Sequence, residues 1–217
     1  MPRKVLVVLA HPDDETFGCG GTIAKLVRDG ATVTYACGTR GEMGRHMGNP
    51  PFATRETLRD LRERELREAC RILGIRELKL LNVWDKTTEF RDREALADQV
   101  GAIIAEIGPD LVITHHPIWG GHPDHCGIGA ATIRALERVP EAQRPEVWCN
   151  GRLADRAGVP LDEVDVRDVA DVKMAATRAH RSQSEDMLQR VERDPEEAER
   201  RRQWAEHERH MVYRFES

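Results

Sequence analysis

Two clusters of histidine and aspartate lie far apart in the sequence, and each follows a predicted strand. The first is the HPDDE segment at 11–15, and the second is the HHP segment at 115–117 with the HPDH segment at 122–125. Imidazole nitrogens and carboxylate oxygens are zinc ligands, and two histidines with one carboxylate leave positions open for water and substrate. His11, Asp14 and His125 therefore form the candidate ligand set, although the same donors also suit Fe²⁺ or another divalent metal.

Asp13 lies beside this set and suits a different task. A divalent cation lowers the pKa of bound water to about 7, within reach of a carboxylate that accepts its proton. Structural roles are the alternative for these residues. An aspartate at 13 or 14 can cap the following helix, and a histidine at 122 or 125 can be a hydrogen-bonded group in the first turn of the next one.

Apolar segments alternate with amphipathic segments along the first 150 residues. Predicted strands cover 4–10, 31–37, 78–83, 111–114 and 147–150, and predicted helices cover 20–28, 54–73, 93–107 and 122–138. This alternation favours right-handed crossovers and a mostly parallel sheet. We predict an α/β, Rossmann-like fold with helices on both faces and strand order 3-2-1-4-5. Its active site lies at the C-terminal edge of the strands, where the two clusters face each other.

The rest of the chain is predicted to extend the same unit. A short strand at 164–168, a helix at 170–187 and a strongly charged helix at 195–211 follow the core. A length of 217 residues is typical of about one domain. We therefore predict a single domain over 1–217, with its core in 1–150 and a C-terminal strand and helices in 151–217.

Composition argues against several functional classes. The 33 basic and 38 acidic residues give a net charge of −5, which is not the charge pattern of a nucleic-acid-binding surface. The longest apolar run, 5–10, is far too short to span a bilayer. The N-terminus shows no signal-peptide pattern, and the five cysteines form no CxxC pair. We expect a cytoplasmic protein with neither a nucleic-acid nor a membrane partner.

The sequence resembles the LmbE-like, or PIG-L, family of metal-dependent N-deacetylases, whose members include the deacetylases of mycothiol and bacillithiol biosynthesis. Five ordered motifs carry the resemblance, at 10–15 with 18–22, 39–42, 62–74, 122–125, and 173–176 with 180–183. They span most of the chain. The resemblance implies an LmbE-like deacetylase domain over 1–217.

The resemblance also implies catalytic roles. It makes His11, Asp14 and His125 the zinc ligands and Asp13 the general base. His122 is implied to stabilise the oxyanion or to protonate the leaving amine, oriented by Asp124, which would favour a protonated imidazole. Arg62 is implied to contact the substrate or the oxyanion.

Three further residues are implied to bind substrate: Arg40, Glu42 and Asp85. Arg40 and Glu42 have an alternative role in organising the loop that contains them. The glycine- and proline-rich segment 41–54 is a candidate lid.

The implied activity is zinc-dependent removal of an N-acetyl group from an N-acetylglucosamine-type sugar or sugar conjugate, a small-molecule substrate. An amidase acting on larger glycoconjugates, such as thiol S-conjugates, would use the same metal chemistry. A third alternative is a non-catalytic protein that binds metal or carbohydrate. Asp13 and His122 argue against it, because binding alone requires neither residue. Assembly into a homo-oligomer is also an expectation of the resemblance.

Overall fold

The computed structural model describes residues 2–150 and 158–215, so the predicted start of the C-terminal part at 151–157 lies outside the described residues. A seven-stranded sheet has the order β3-β2-β1-β4-β5-β7-β6. Its strands are β1 (Lys4–Leu9), β2 (Thr32–Cys37), β3 (Glu77–Leu80), β4 (Leu111–His115), β5 (Glu146–Asn150), β6 (Asp162–Asp165) and β7 (His207–Val212). The α/β fold and the predicted order of the first five strands are confirmed.

The first five strands run parallel, and β1 pairs with both β2 and β4. Five of its six residues are buried, as expected of an apolar strand covered on both faces. Since β1 ends at Leu9 and β4 ends at His115, the segments that follow them emerge at the same edge of the sheet. The two predicted clusters therefore meet.

Helices cover both faces of the sheet. They are α1 (Asp14–Arg28), α2 (Arg55–Leu73), α3 (Arg93–Ile107), α4 (Pro123–Glu137), α5 (Ala170–Ala179), α6 (Arg181–Arg193) and α7 (Pro195–Glu206). One buried cluster packs α1, α2 and α5 on the sheet through residues such as Ile23 and Leu66. The second packs α3 and α4 on the other face through residues such as Val100 and Ile128. Among the described residues, no helix combines the length and apolar character that a bilayer crossing requires.

Helix α1 begins six residues before its predicted start at Gly20. Its first half contains Gly18 and Gly20, which are poor helix formers, and Cys19 between them has non-helical angles (φ −154°, ψ 23°) that kink the helix. Tertiary contacts stabilise the kinked segment, because Glu208 of β7 accepts the backbone N–H groups of Gly21 and Thr22 at 2.8 and 2.7 Å.

Two C-terminal predictions are wrong in part. The helix predicted at 170–187 is divided at His180 into α5 and α6. The helix predicted at 195–211 ends at Glu206, and the chain continues as β7, which pairs antiparallel with β5 and β6. The charged sequence of β7 favours a helix locally, but pairing on both sides makes it a strand.

Candidate metal centre

The three predicted ligands converge on one point at the C-terminal edge of the sheet. His11 Nδ1 lies 3.2 Å from His125 Nε2 and 3.4 Å from Asp14 Oδ2, and Asp14 Oδ1 lies 3.3 Å from His125 Nε2. Ligand atoms around a tetrahedral zinc with bonds of about 2.0–2.1 Å lie roughly 3.3 Å apart. The spacing of these four atoms, which three residues contribute, fits a small divalent cation.

In His11 and His125, the ring nitrogen that points away from the other two ligands faces a hydrogen-bond acceptor. His125 Nδ1 lies 3.0 Å from the carbonyl oxygen of Gly120, and His11 Nε2 lies 3.1 Å from Asp124 Oδ2 and 3.3 Å from Asp85 Oδ1. These acceptors hold the ring proton on the far side, as is typical of metal-bound histidines. Nδ1 of His11 and Nε2 of His125 then face each other, an arrangement that a cation between them would stabilise.

His115 is a neighbour of this centre that the predicted ligand set lacks. Its Nε2 lies 3.2 Å from Asp14 Oδ2, and its ring stacks on His125 with centroids 3.9 Å apart. Burial lowers the pKa of His115 to about 4, so the ring is neutral, and its Nε2 accepts the backbone N–H of Ala10 at 3.1 Å. That hydrogen bond occupies the lone pair that a metal would need. His115 is the last residue of β4. That position at the end of a strand was the signal in the sequence that its side chain lies near the site.

Other donor groups overlap the same centre. Within the part of the chain that the structure describes, three sets of close metal-binding donors occur: His11 with His122 and His125, Asp14 with His115 and His125, and His11 with Asp85 and Asp124. Every set contains His11 or His125. The donors therefore mark one region of the molecule, and hydrogen bonding distinguishes the sets.

Asp13 has a strained backbone beside the ligands. Its φ of 113° lies in a region that non-glycine residues rarely adopt, and its side chain makes no helix-capping hydrogen bond. Glu15 Oε2 accepts its backbone N–H at 3.0 Å, and Arg62 Nη2 donates to its Oδ2 at 2.8 Å. Burial raises the pKa of Asp13 to about 6, against the opposing charge of Arg62. The carboxylate is therefore a stronger base than an ordinary aspartate.

Arg62 positions Asp13 from behind. It is only 3% exposed, and it also donates to the carbonyl oxygens of Gly41, at 3.1 Å, and Pro12. A guanidinium bound to two backbone carbonyls and a carboxylate holds Asp13 in place in this conformation. Contact of Arg62 with the substrate or the oxyanion stays a prediction.

His122 and Asp124 have a different relationship from the expected one. His122 is the N-cap of α4, and its Nδ1 accepts the backbone N–H of Asp124 at 3.2 Å. The Asp124 carboxylate lies 3.9 Å from that nitrogen and binds His11 instead, together with backbone N–H groups of Lys86 and Thr88. Burial and the charges of His11 and His125 lower the pKa of His122. Asp124 thus orients His11, and His122 is a neutral ring with its proton on Nε2.

Two predicted substrate-binding residues are buried in the protein. Asp85 is 3% exposed; its Oδ2 accepts the backbone N–H of Met43 at 2.8 Å, and its Oδ1 faces His11. Glu42 is 6% exposed and accepts the backbone N–H of Asp85 at 3.3 Å. These carboxylates join the loops after β2 and β3, and Asp85 supports His11. Their contact with substrate stays a prediction.

Arg40 also joins loops. Its Nε donates to Asn82 Oδ1 at 3.0 Å, and its Nη1 lies 2.8 Å from Glu63 Oε2 on α2. These contacts match the alternative role in organising the loop.

The candidate lid at 41–54 is attached to α6. The backbone N–H of Gly48 donates to the carbonyl oxygen of Ser182 at 3.2 Å, and that of Asn49 donates to Glu185 Oε2 at 2.8 Å. Gln189 Nε2 donates to the carbonyl oxygen of Asn49 at 2.8 Å. Asn49 Nδ2 also donates to Gln189 Oε1 at 3.1 Å, and Gln183 Nε2 donates to the carbonyl oxygen of His46 at 3.0 Å. In this conformation the segment is bound to the C-terminal part of the chain, so opening it would break these hydrogen bonds.

The motif at 180–183 supports the centre from beneath. His180 and Glu15 are fully buried, and His180 Nε2 lies 2.6 Å from Glu15 Oε1. Glu65 accepts both the backbone N–H and the hydroxyl of Ser182, at 2.7 and 2.6 Å. Because Glu15 also holds the backbone of Asp13, this C-terminal motif helps to fix the conformation of the candidate base.

A cavity of about 640 Å³ opens beside the centre. Its lining includes Asp13, Asp14, His115 and His125, and also the C-terminal residues Leu161, Arg201, Trp204 and Arg209, to which no sequence motif pointed. The segment predicted as a charged helix at 195–211 contributes three of these residues. Only the tertiary structure brings it to the cavity, which has a volume typical of small-molecule sites.

Comparisons with known proteins agree on a family. The family profile described as PIG-L, GlcNAc-PI de-N-acetylase, matches residues 6–136. A probable N-acetyl-α-D-glucosaminyl L-malate deacetylase 2 of Bacillus cereus is 47% identical over 193 residues, 87% of each chain. A 1D-myo-inositol 2-acetamido-2-deoxy-α-D-glucopyranoside deacetylase of Actinosynnema mirum is 31% identical over 232 residues, 84% of this chain and 81% of the relative.

A solved structure has the same fold. The N,N'-diacetylchitobiose deacetylase of Pyrococcus horikoshii, in complex with its inhibitor, superposes with a TM-score of 0.76 at 27% identity. The match covers 97% of this chain and 84% of that one.

Proposed function

Because the chain belongs to the PIG-L family of GlcNAc-PI de-N-acetylases, we propose that it is a zinc-dependent hydrolase that removes the acetyl group from an N-acetylglucosamine-type conjugate. The observation that carries the proposal is the approach of His11 Nδ1 and His125 Nε2 to 3.2 Å from each other, with Asp14 Oδ1 3.3 Å from the latter. A buried carboxylate with a raised pKa, that of Asp13, lies next to them. The named activities of the relatives support the substrate class.

His11, Asp14 and His125 would hold the metal through Nδ1, a carboxylate oxygen and Nε2. When bound, a divalent cation polarises the acetamide carbonyl and lowers the pKa of water. Asp124 and Asp85 keep His11 in the tautomer that presents Nδ1 to the metal site. The carbonyl oxygen of Gly120 does the same for Nε2 of His125.

Asp13 accepts the proton of the attacking water. With a pKa of about 6 its carboxylate is largely ionised at neutral pH, yet it binds a proton more tightly than an exposed aspartate does. Arg62 and Glu15 fix its position, so little reorganisation accompanies the transfer. The protonated carboxyl of Asp13 then returns the proton to the nitrogen of the departing amine.

His122 stabilises the oxyanion with a neutral ring. Its Nδ1 is occupied by the backbone N–H of Asp124, which leaves the proton on Nε2, and 36% of the side chain is exposed. In other hydrolases, removal of one hydrogen-bond donor that faces the developing oxyanion lowers kcat by about 10²–10³-fold.

A direct assay tests the proposal. Purified protein is incubated with a panel of N-acetylglucosamine conjugates, and both free acetate and free amine are measured before and after chelation and after addition of Zn²⁺ or Fe²⁺. Chelator-sensitive release of acetate, restored best by Zn²⁺, is the expected result. Release of acetate only from larger thiol S-conjugates would favour the amidase alternative. Binding of metal or sugar without acetate release would favour the non-catalytic alternative.

We also propose that 1–217 forms one domain in the cytoplasm. The C-terminal strand β7 pairs with β5 of the core, which supports one domain. The five cysteines are all unpaired, in agreement with a reducing compartment. Assembly into a homo-oligomer stays a prediction.

A further inference from the structure

Asn150 is a polar residue of the cavity that the proposed mechanism does not use. It is the last residue of β5, and it lines the same cavity as Asp13, Asp14 and His125. We propose that its carboxamide binds a ring hydroxyl of the hexosamine and thereby selects a sugar over a simple N-acyl amine. This inference rests on the proposed function, because it concerns recognition of the same substrate at the same site.

The sheet holds Asn150 next to the candidate metal centre. In the parallel pairing of β4 with β5, Asn150 is the register partner of His115, which borders the centre through Asp14. Paired strands lie about 4.8 Å apart, and the carbonyl oxygen of Asn150 accepts the backbone N–H of His116 at 3.0 Å. A sugar whose acetamide lies at the ligand residues therefore has its ring within reach of the Asn150 side chain.

The carboxamide nitrogen of Asn150 lacks a hydrogen-bond partner. Nδ2 is buried, and no acceptor for it occurs among residues 2–150 and 158–215. Buried polar side-chain atoms in folded proteins nearly always have a partner. An exception in the wall of a cavity beside a metal centre therefore points to a group that a ligand supplies.

Gly18 and Cys19 define how this amide is packed. A Cβ at position 18 would lie 2.6 Å from Asn150 Nδ2, so glycine leaves room that a larger residue would take. The Cys19 thiol lies beside the same amide, and burial raises its pKa, so it stays a protonated S–H donor. A donor is matched by the amide oxygen. A half-turn about the terminal torsion of Asn150 would give Oδ1 to the thiol and turn both N–H donors toward the cavity.

A sugar hydroxyl is the ligand group that matches this amide. A hydroxyl both accepts and donates hydrogen bonds, so it pairs with either end of a carboxamide. The hydroxyl on C3, next to the carbon that carries the acetamide, lies close to the reacting amide and is the inferred partner. An analogue without that hydroxyl leaves the polar group of the protein unpaired and is rejected for that reason.

A substrate that lacks this single hydroxyl tests the assignment. The kcat and KM of zinc-loaded wild type, Asn150→Ala and the control Gln203→Ala are measured on the methyl glycoside of N-acetylglucosamine and on its 3-deoxy analogue. Gln203 has an exposed carboxamide on α7 that donates to Glu199, and it does not line the cavity.

Asn150→Ala should lower kcat/KM on the parent glycoside about tenfold, mainly through KM, since a hydrogen bond to the bound sugar is lost. The same variant should change kcat/KM on the 3-deoxy glycoside less than about twofold, because the partner of Asn150 is already absent. Gln203→Ala should behave as wild type on both. Equal losses on the two glycosides in Asn150→Ala, or no loss on either, would overturn the assignment.

Gly18→Ala tests the packing of the amide by a second route. The added methyl group displaces the Asn150 carboxamide, so kcat/KM on the parent glycoside should fall about as far as in Asn150→Ala. In an Asn150→Ala background, Gly18→Ala should change kcat/KM less than about twofold, because the atoms that it displaces are gone. Losses that simply add in the double variant would contradict this arrangement.

A binding measurement separates this inference from the proposed function. Zinc-loaded protein is titrated with methyl glucosaminide, the deacetylated product, and binding is followed by NMR without any turnover. About tenfold weaker binding in Asn150→Ala, with no such weakening for the 3-deoxy glucosaminide, supports the subsite even if no acetate is ever released. Unchanged binding of the glucosaminide in Asn150→Ala overturns it, even in an active deacetylase.

Discussion

Replacement of Lys173 by methionine should destabilise the protein far more than loss of an ordinary surface charge. Lys173 and Glu208 have side chains that are 0% and 4% exposed, and Lys173 Nζ lies 2.9 Å from Glu208 Oε1. The ammonium also donates to the Trp204 carbonyl oxygen and lies over its ring. Lys173→Met removes one partner of this buried pair and leaves the Glu208 carboxylate in the core without a cation.

The expected loss of stability follows from the unpaired charge of Glu208. Removing one partner of a buried ion pair costs about 3–5 kcal/mol. Glu208 keeps two backbone N–H donors, from Gly21 and Thr22, so we expect the lower end, about 3 kcal/mol. The same two hydrogen bonds connect β7 to the kinked helix α1, which carries Asp14. The loss should therefore loosen the site as well as the core.

Urea denaturation of wild type and variants measures the effect. Lys79→Met is the matched control, because Lys79 pairs with Glu77 and Glu106, whose side chains are 49% and 59% exposed. These surface ion pairs of Lys79 should contribute at most about 1 kcal/mol to the free energy of unfolding. In a double-mutant cycle, Lys173→Met and Glu208→Gln should show a coupling energy of at least about 1 kcal/mol. A loss in Lys173→Met no larger than that of Lys79→Met would refute the reasoning.

Three further substitutions test the roles of individual groups. Asp13→Ala should keep the metal, measured by elemental analysis, and lower kcat by about 10²-fold or more; an unchanged kcat removes Asp13 from the mechanism. His122→Ala should lower kcat by about 10²–10³-fold at normal metal content, whereas an emptied site would identify His122 as a ligand. Glu15→Gln should lower kcat more than the control Glu65→Gln, because only Glu15 binds the backbone of Asp13; equal kcat values for the two variants would argue against that positioning role.

The core of the fold could be predicted because its strands are buried on both faces. The apolar run of β1 has no helical periodicity, and its neighbours repeat the pattern. Strand β7 could not be predicted, since its residues His207–Val212 favour a strand only when β5 and β6 pair with them. The start of α1 was missed for a related reason, because glycines in its first half weaken the local helical signal.

The metal-binding side chains of the candidate site could be predicted from the sequence, but the side chains that position them could not. Histidine and aspartate directly after strands are visible in any sequence, and the topology brings them together. Which side of the His11 ring a carboxylate occupies depends on the packing of distant loops. Asp85 was therefore predicted to bind substrate and Asp124 to orient His122, whereas both carboxylates face Nε2 of His11. The burial of Arg62 behind Asp13 is likewise a tertiary property that its helical segment does not encode.

The central claim is that one cation is bound by His11 Nδ1, Asp14 and His125 Nε2. Crystals grown with Zn²⁺ and measured at the zinc absorption edge would locate the ion directly by its anomalous signal. We expect one strong peak at about 2.0–2.2 Å from each of these three ligand atoms. A peak bonded to His11 Nε2, Asp85 and Asp124, or to His115, would contradict it.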